Sequence, residues 1–297
     1  MSSSEKLDLS RLPAFELVEV DFEQMLADTR SSFEARWAAL REQHPELPQI
    51  SLGTTVHNPI VLLLEEATHS RMLDLQALND AGKRLTVAFG FNGSLDHLAA
   101  TLYADVGIRR LEGESDDRFR RRIALAPEAR SPFTPGAYVY AALSASLDIA
   151  DAAALNEASG AVGAGEVALI LLGRQGRDDG ELVDLVNAAL AARPIRADTD
   201  QLTVRLATPH ERSIGAVLSV RRGPDPAVVK AAALTSLAAY LAENRRIGQV
   251  VTMSGVTAAL HVGGVQKVTL SFDVDLDPGP DGFVDIVEAT VSTGGAA

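Results

Sequence analysis

The chain has 297 residues, a formal net charge of −13 and no cysteine. That balance argues against a protein that lives on nucleic acid, where clustered Lys and Arg displace counterions, and the missing thiols exclude disulfides, thiolate zinc sites and cysteine nucleophiles. Hydrophobic residues make up 46% and charged residues 23%, which suits real cores and, at this length, about two domains.

The start MSSSEKLDLSRLP has no apolar leader, and apolar runs such as VALILLG fall far short of the roughly 20 residues that span a bilayer. The expectation is a soluble, acidic, cytosol-assembled protein with no membrane partner. Residues 1–20 read as an extended arm. Leu12, Phe15, Leu17 and Val18 follow no helical period, and Pro13 disfavours helix at Leu12. Such an arm docks on its own domain or on another subunit.

Residues 21–90 read as a helical domain. Phe22, Leu26, Phe33, Trp37 and Leu40 form one stripe on a helix over 21–42. Asn58 as cap and Pro59 as first residue open a second helix over 59–82. Its first half, including Leu63 and Leu64, is apolar on a wide arc, which predicts burial on more than one side, in a bundle or between subunits. The region 91–145 holds short helices: LDHLAATLYA, ESDDRFRRRIAL, and one opened by Thr134-Pro135 and running through AYVYAALSAS.

From 146 the period changes. A first α+β unit, 146–208, takes SLDIADAAAL and EVALILLG as strands, DDGELVDLVNAALAARP as a helix ended by Pro194, and DQLTVRLA as a strand. A second unit, 209–290, repeats the plan: strand RSIGAVLSVRRG, capped helix from DPAVVK to NRRIG, final strand VQKVTLSFDVD. Residues 291–297 read as a frayed tail. The fold class is α+β multidomain, a helical N-terminal part followed by two small α+β units in tandem.

In ESDDRFRRRI, Ser115 suits an N-cap, with Asp116 and Asp117 at the positive helix end. Glu114, Asp116 and Asp117 each precede an arginine by four (Arg118, Arg120 and Arg121), leaving Arg122 unpaired and Phe119 and Ile123 as the buried stripe. A block that neutralises itself this way is a structural or interface helix, not a phosphate grip. Glu66 and His69 have metal-like spacing but no second pair to complete a site. His261, ahead of glycines, reads as a helix-end cap. Gly160, Gly163 and Gly165 precede a strand, where a phosphate loop would follow one. Asp273, Asp275 and Asp277 start like a calcium loop, but Pro278 and Val284 stand where Gly and Glu are needed. Their alternation with Phe272, Val274 and Leu276 predicts a half-buried strand with an acidic outer face. No catalytic, cofactor-binding or metal-ligating residue is assigned, and a non-enzyme is expected.

Taken together, LDLSRLP…VEVDFEQMLAD, the helix with Glu65 and Glu66, ESDDRFRRRI, TPGAYVY, RPIRADTDQLTV, ENRRIGQ and SGVTAALHVGGVQKV resemble the baseplate J proteins of contractile-tailed phages and phage-derived particles. The resemblance runs from about residue 7 to 275. One departure lies in 86–113, where the loop after the small-residue core is short.

The resemblance implies a baseplate wedge protein without catalytic residues, in the virion tail baseplate or a tail-like particle, assembled in the bacterial host cytoplasm. It would join neighbouring wedges into a ring around the hub and support sheath attachment and triggering. Implied partners are other copies of itself, the neighbouring wedge protein, the sheath-initiating protein and the central hub and spike proteins. Nucleic acid and membrane are not among them. Rival readings are a scaffold of a related contractile secretion machine and a hydrolase with a non-local site. Candidate interface residues are Leu12, Phe15 and Val18 in the arm, and Phe22, Phe33, Trp37, Leu63 and Leu64 on the first two helices. Further along they are Arg118, Arg120, Arg122, Tyr138 and His261. Small rigid units, each keeping its own core, would hinge at their connecting loops.

Overall fold

Capping chemistry written into the sequence starts most of the helices. In the computed structural model, which describes residues 12–13, 15–53, 58–131, 134–177, 180–192, 201–223 and 225–294, Asp21 accepts from Gln24 N to open α1 (Phe22–Gln43). Asn58 accepts from Ile60 N to open α2 (Pro59–Arg84), with Pro59 spending no amide that the helix would use. The expected end of a helix at Pro194, the junction over 193–200, the loop residues 54–57 and the arm before Leu12 lie outside the described residues.

Contact density divides the chain into Asp8–Leu102 and a unit from Tyr103 onward. In the first, α1, α2 and α3 (Gly93–Leu102) form the framework. α1 buries only Leu26 and α2 only Val61, Thr68 and Asn79. The half-buried positions Leu64, Met72, Leu75 and Gly82 fall on the same stripe of α2, at steps of three and four. The wide apolar arc expected of α2 is therefore covered along one stripe, and Leu62, Leu63, Leu73 and Leu78 stay exposed. The described part of the arm packs on its own unit. Leu17 N and Val18 N both donate to Asn79 Oδ1, each at 2.9 Å, and Asn79 Nδ2 returns a bond to Val18 O at 2.8 Å. Leu17 lies directly over Gly82, where a side chain would collide with it.

The second unit begins with α4 (Asp116–Ala129) and α5 (Pro135–Ala145). Residues Gly136 to Leu143 of α5 are all buried, so this short helix is hydrophobic all round because it is central. Tyr138, Tyr140 and Leu143 each contribute about 1.5–3 kcal/mol by burial. Strands β1 (Ile149–Leu155), β2 (Glu166–Gly173) and β3 (Gln201–Leu206) form a sheet in that order, antiparallel then parallel. Helix α6 (Gly180–Ala191) makes the crossover from β2 to β3.

After one residue, Ala207, β4 (Thr208–Val220) opens a second sheet of order β5-β4-β6, with α7 (Pro226–Asn244) and α8 (Met253–Leu260) between β4 and β5. Here β5 (Val265–Leu270) is antiparallel to β4, and β6 (Gly282–Gly294) is parallel to it. The α+β class holds, but VQKVTLSFDVD is not the final strand, since β6 follows it, and two further details differ. The aspartate stretch is a loop, not strand: β5 ends at Leu270, Asp275 accepts from Met253 N at the start of α8, and Asp277 accepts from Gly279 N. Short polar side chains that bond nearby amides favour turns over ladders. The expected frayed tail is strand through Gly294, because β4 offers β6 a full-length partner.

The two sheets also share a core. Ala168, Ile170 and Leu172 of β2 cluster with Leu155, Ala207 and Phe283, and Ile247 packs against them. The alternate β2 residues Leu169 and Leu171 are buried as well. A strand covered on both faces reads as a continuous apolar run, which EVALILLG does. The second sheet also keeps a core of its own around Leu218, Leu237 and Leu260, so the sharing is confined to the cluster that holds Phe283. Among the described residues no helix is long and apolar enough to cross a membrane.

Candidate interaction site

The arginine-rich helix is built inward. Ser115 caps α4 as its sequence demands, accepting from Arg118 N. Ahead of the cap, Glu114 folds back into the interior with a side chain that is 0% exposed. Its Oε1 meets Arg118 Nη1 at 2.9 Å, its Oε2 meets Arg122 Nη1 at 2.6 Å, and Leu111 N donates to Oε2 at 3.0 Å. A buried carboxylate persists only when its lone pairs are filled this way.

Arg118 does more than pair. Its Nη2 reaches Leu143 O, Ser146 O and Ile149 O at 2.9, 2.7 and 2.9 Å. Those carbonyls end α5 and start β1, so one guanidinium satisfies acceptors that a helix C-terminus leaves open. Burial pulls Arg118 below the usual arginine value while the Glu114 carboxylate beside it pushes the other way. Guanidinium remains charged throughout.

Arg122 corrects the expectation of an unpaired residue. Besides Glu114 it bonds Ser144 Oγ and Arg109 O, and it lies over the rings of Phe119 and Tyr140. Counting along the helix missed its partner because Glu114 sits eight residues earlier, before the first turn. The same block also pairs at other spacings. Asp116 takes Arg110, Asp117 takes Arg120 three residues on, and Arg121 takes Asp151 at 2.6 Å. Glu114 with Arg118 forms as spaced.

Asp151 is the second junction that sequence reading passed over. Buried at a register shift in β1, it accepts from Ala152 N and Arg121 through Oδ1 and from Ile247 N through Oδ2. It therefore ties α4, β1 and the segment after α7 together. Nearby, Arg245 Nη1 donates to Gly173 O and its guanidinium covers the Phe283 ring, while Arg205 pairs with Asp281. An aspartate amid alanines in a strand was the available signal.

The candidate interface residues fall into three groups. Arg118 and Arg122 are clamped and Tyr138 is 1% exposed, so all three serve the interior of this unit. Leu12, Phe15 and Leu63 are exposed, Leu63 at 69%. Val18, Phe22 and Leu64 are half-buried, as are Phe33 and Trp37, whose rings stack 6.3 Å apart while Trp37 Nε1 holds Pro48 O. Arg120 is held by exposed Asp117, and His261 stands exposed at the C-cap of α8, the position its sequence context predicts. The structure brings Arg118 and Arg122 together around Glu114. It gathers no group of three or more His, Asp or Glu suited to a metal among the described residues.

Comparison with known proteins adds two findings. Residues 58–114, from the cap of α2 to the buried Glu114, match the Baseplate J-like N-terminal domain family. The chain is 31% identical over 281 residues to Baseplate protein J of Escherichia phage P2, covering 89% of this chain and 90% of the relative.

Proposed function

Since the chain belongs to the baseplate protein J family, we propose that it joins neighbouring wedges of a tail baseplate into a ring around the hub. It is a structural component of the phage tail baseplate, not an enzyme. The finer role rests on one observation of this chain: α2 buries a single stripe and leaves Leu62, Leu63, Leu73 and Leu78 to solvent. Exposed apolar surface on a long helix is what a subunit contact covers.

In this reading α1 and α2 make bundle contacts with other subunits. The unit from Tyr103 onward supplies a rigid body, riveted by Glu114 and Asp151. Other copies of the chain, the neighbouring wedge protein, the sheath-initiating protein and the hub and spike proteins are the partners. Assembly takes place in the host cytoplasm, and the ring supports sheath attachment and its triggering. Motion on triggering would fall between bodies, not between the two sheets that share Ile170 and Phe283.

Co-expression with the product of the adjacent downstream reading frame tests the proposal, with the purified mass read by light scattering. A defined hetero-oligomer holding more than one copy of this chain is expected. A monomer indifferent to its neighbour would reject the wedge role.

A further inference from the structure

The second sheet has two outer edges, and at the buried start of β6 Gly248 N already holds Gly282 O, so the open part of that edge is its later half. Its order β5-β4-β6 leaves β5 and β6 each with one hydrogen-bonding edge that no described strand takes. An open edge of this kind is a template for pairing with another chain unless something blunts it. β6 is 13 residues long and reads GFVDIVEATVSTG, without proline and rich in β-branched residues. Residues 287–290, 292 and 293 are exposed, and Val287, left over where the register slips beside Arg212, is 59% exposed.

The two edges differ in charge. β6 carries Asp285 and Glu288 and no base, whereas β5, VQKVTL, carries Lys267 and no acid. Arg221 and Arg222 follow β4 on the paired side of β5, so Lys267 is the base that the free edge itself offers on a chain of net charge −13. Direction fits as well. β5 runs against β4 and β6 runs with it, so a second copy laid alongside in the same orientation presents its β5 antiparallel to β6.

From these edges we infer that β6 of one copy pairs with β5 of the next, so that the second sheet continues from chain to chain. Pairing β6 with β6 would instead set like carboxylates near one another. The contact is heterologous, so it repeats, and it closes into a ring when the rotation between copies allows. Six residues of β5 limit each contact, which makes it weak for a free pair and effective among copies already held close. The inference rests on the reading of a multi-copy baseplate part but needs no partner beyond this chain.

Amide hydrogen exchange of the full chain at low and high protein concentration tests it, beside sedimentation at low and high salt. Protection is expected to rise together in β5 and β6, with association weakened by salt. Lys267→Glu, at an exposed site and checked for fold by circular dichroism, is expected to weaken association roughly tenfold, and adding Glu288→Lys to restore it. Protection of β6 alone, protection of neither strand, or association indifferent to Lys267→Glu would overturn it. Paired protection in a chain that fails to enter a baseplate would uphold the pairing and remove the proposed function. Entry into a baseplate without that protection would do the reverse.

Discussion

Glu114 and Arg122 meet at 2.6 Å with both side chains buried, 0% and 3% exposed. The contact spans the start of α4 and fixes the segment before it, through Leu111 N and Arg109 O, to the helix. Removing one member of a buried, bonded pair leaves the other charge stranded. Glu114→Gln is therefore expected to lower stability by about 3 kcal/mol in urea unfolding. Asp117→Asn, at a side chain that is 95% exposed, is expected to stay within about 1 kcal/mol. Equal effects of the two would contradict the inward-built helix.

Asp151→Ala removes acceptors for Arg121 and for Ile247 N at once. Loss of about 2–3 kcal/mol is expected, and the transition should loosen the segment after α7 first. Amide exchange at Ile247 is the check. An unchanged rate there would show that Asp151 does not hold the segment after α7 to β1.

Asn79→Ala frees Leu17 N and Val18 N from the single side chain that holds them. Exchange at those two amides is expected to rise sharply, with a global loss of about 1–2 kcal/mol and α2 intact. Slow exchange persisting in the variant would place the anchor elsewhere in the arm.

Asp105 and Arg130 form a two-bond pair at 2.6 and 2.8 Å. The Arg130 hydrogen bonds hold the Asp105 carboxyl below its ordinary value of 3.8. With the folded value depressed, whatever stability the pair gives is present above the unfolded value and is lost as pH falls through the folded one. In an NMR titration Asp105 is expected to have a midpoint below 3.8 and to rise toward it in Arg130→Ala.

Much of this architecture was legible in the residues. Asn58-Pro59, Ser115 and Thr134-Pro135 marked helix starts that the structure keeps, and EVALILLG marked a strand buried on both faces. What escaped was non-local. Nothing near GFVDIVEATVSTG says that β4 runs alongside it, so a glycine-rich ending looked frayed. Arg122 looked spare because its partner lies off the helix, and Asn79 looked like an ordinary polar position although it falls on the buried stripe of α2. Family membership was carried by the order of several blocks along the chain, none sufficient alone.

Electron microscopy of tails from a particle-producing strain lacking this chain tests the central claim most directly. A structural baseplate component predicts tails without a complete baseplate, restored when the wild-type chain is supplied. Intact baseplates in its absence would contradict it.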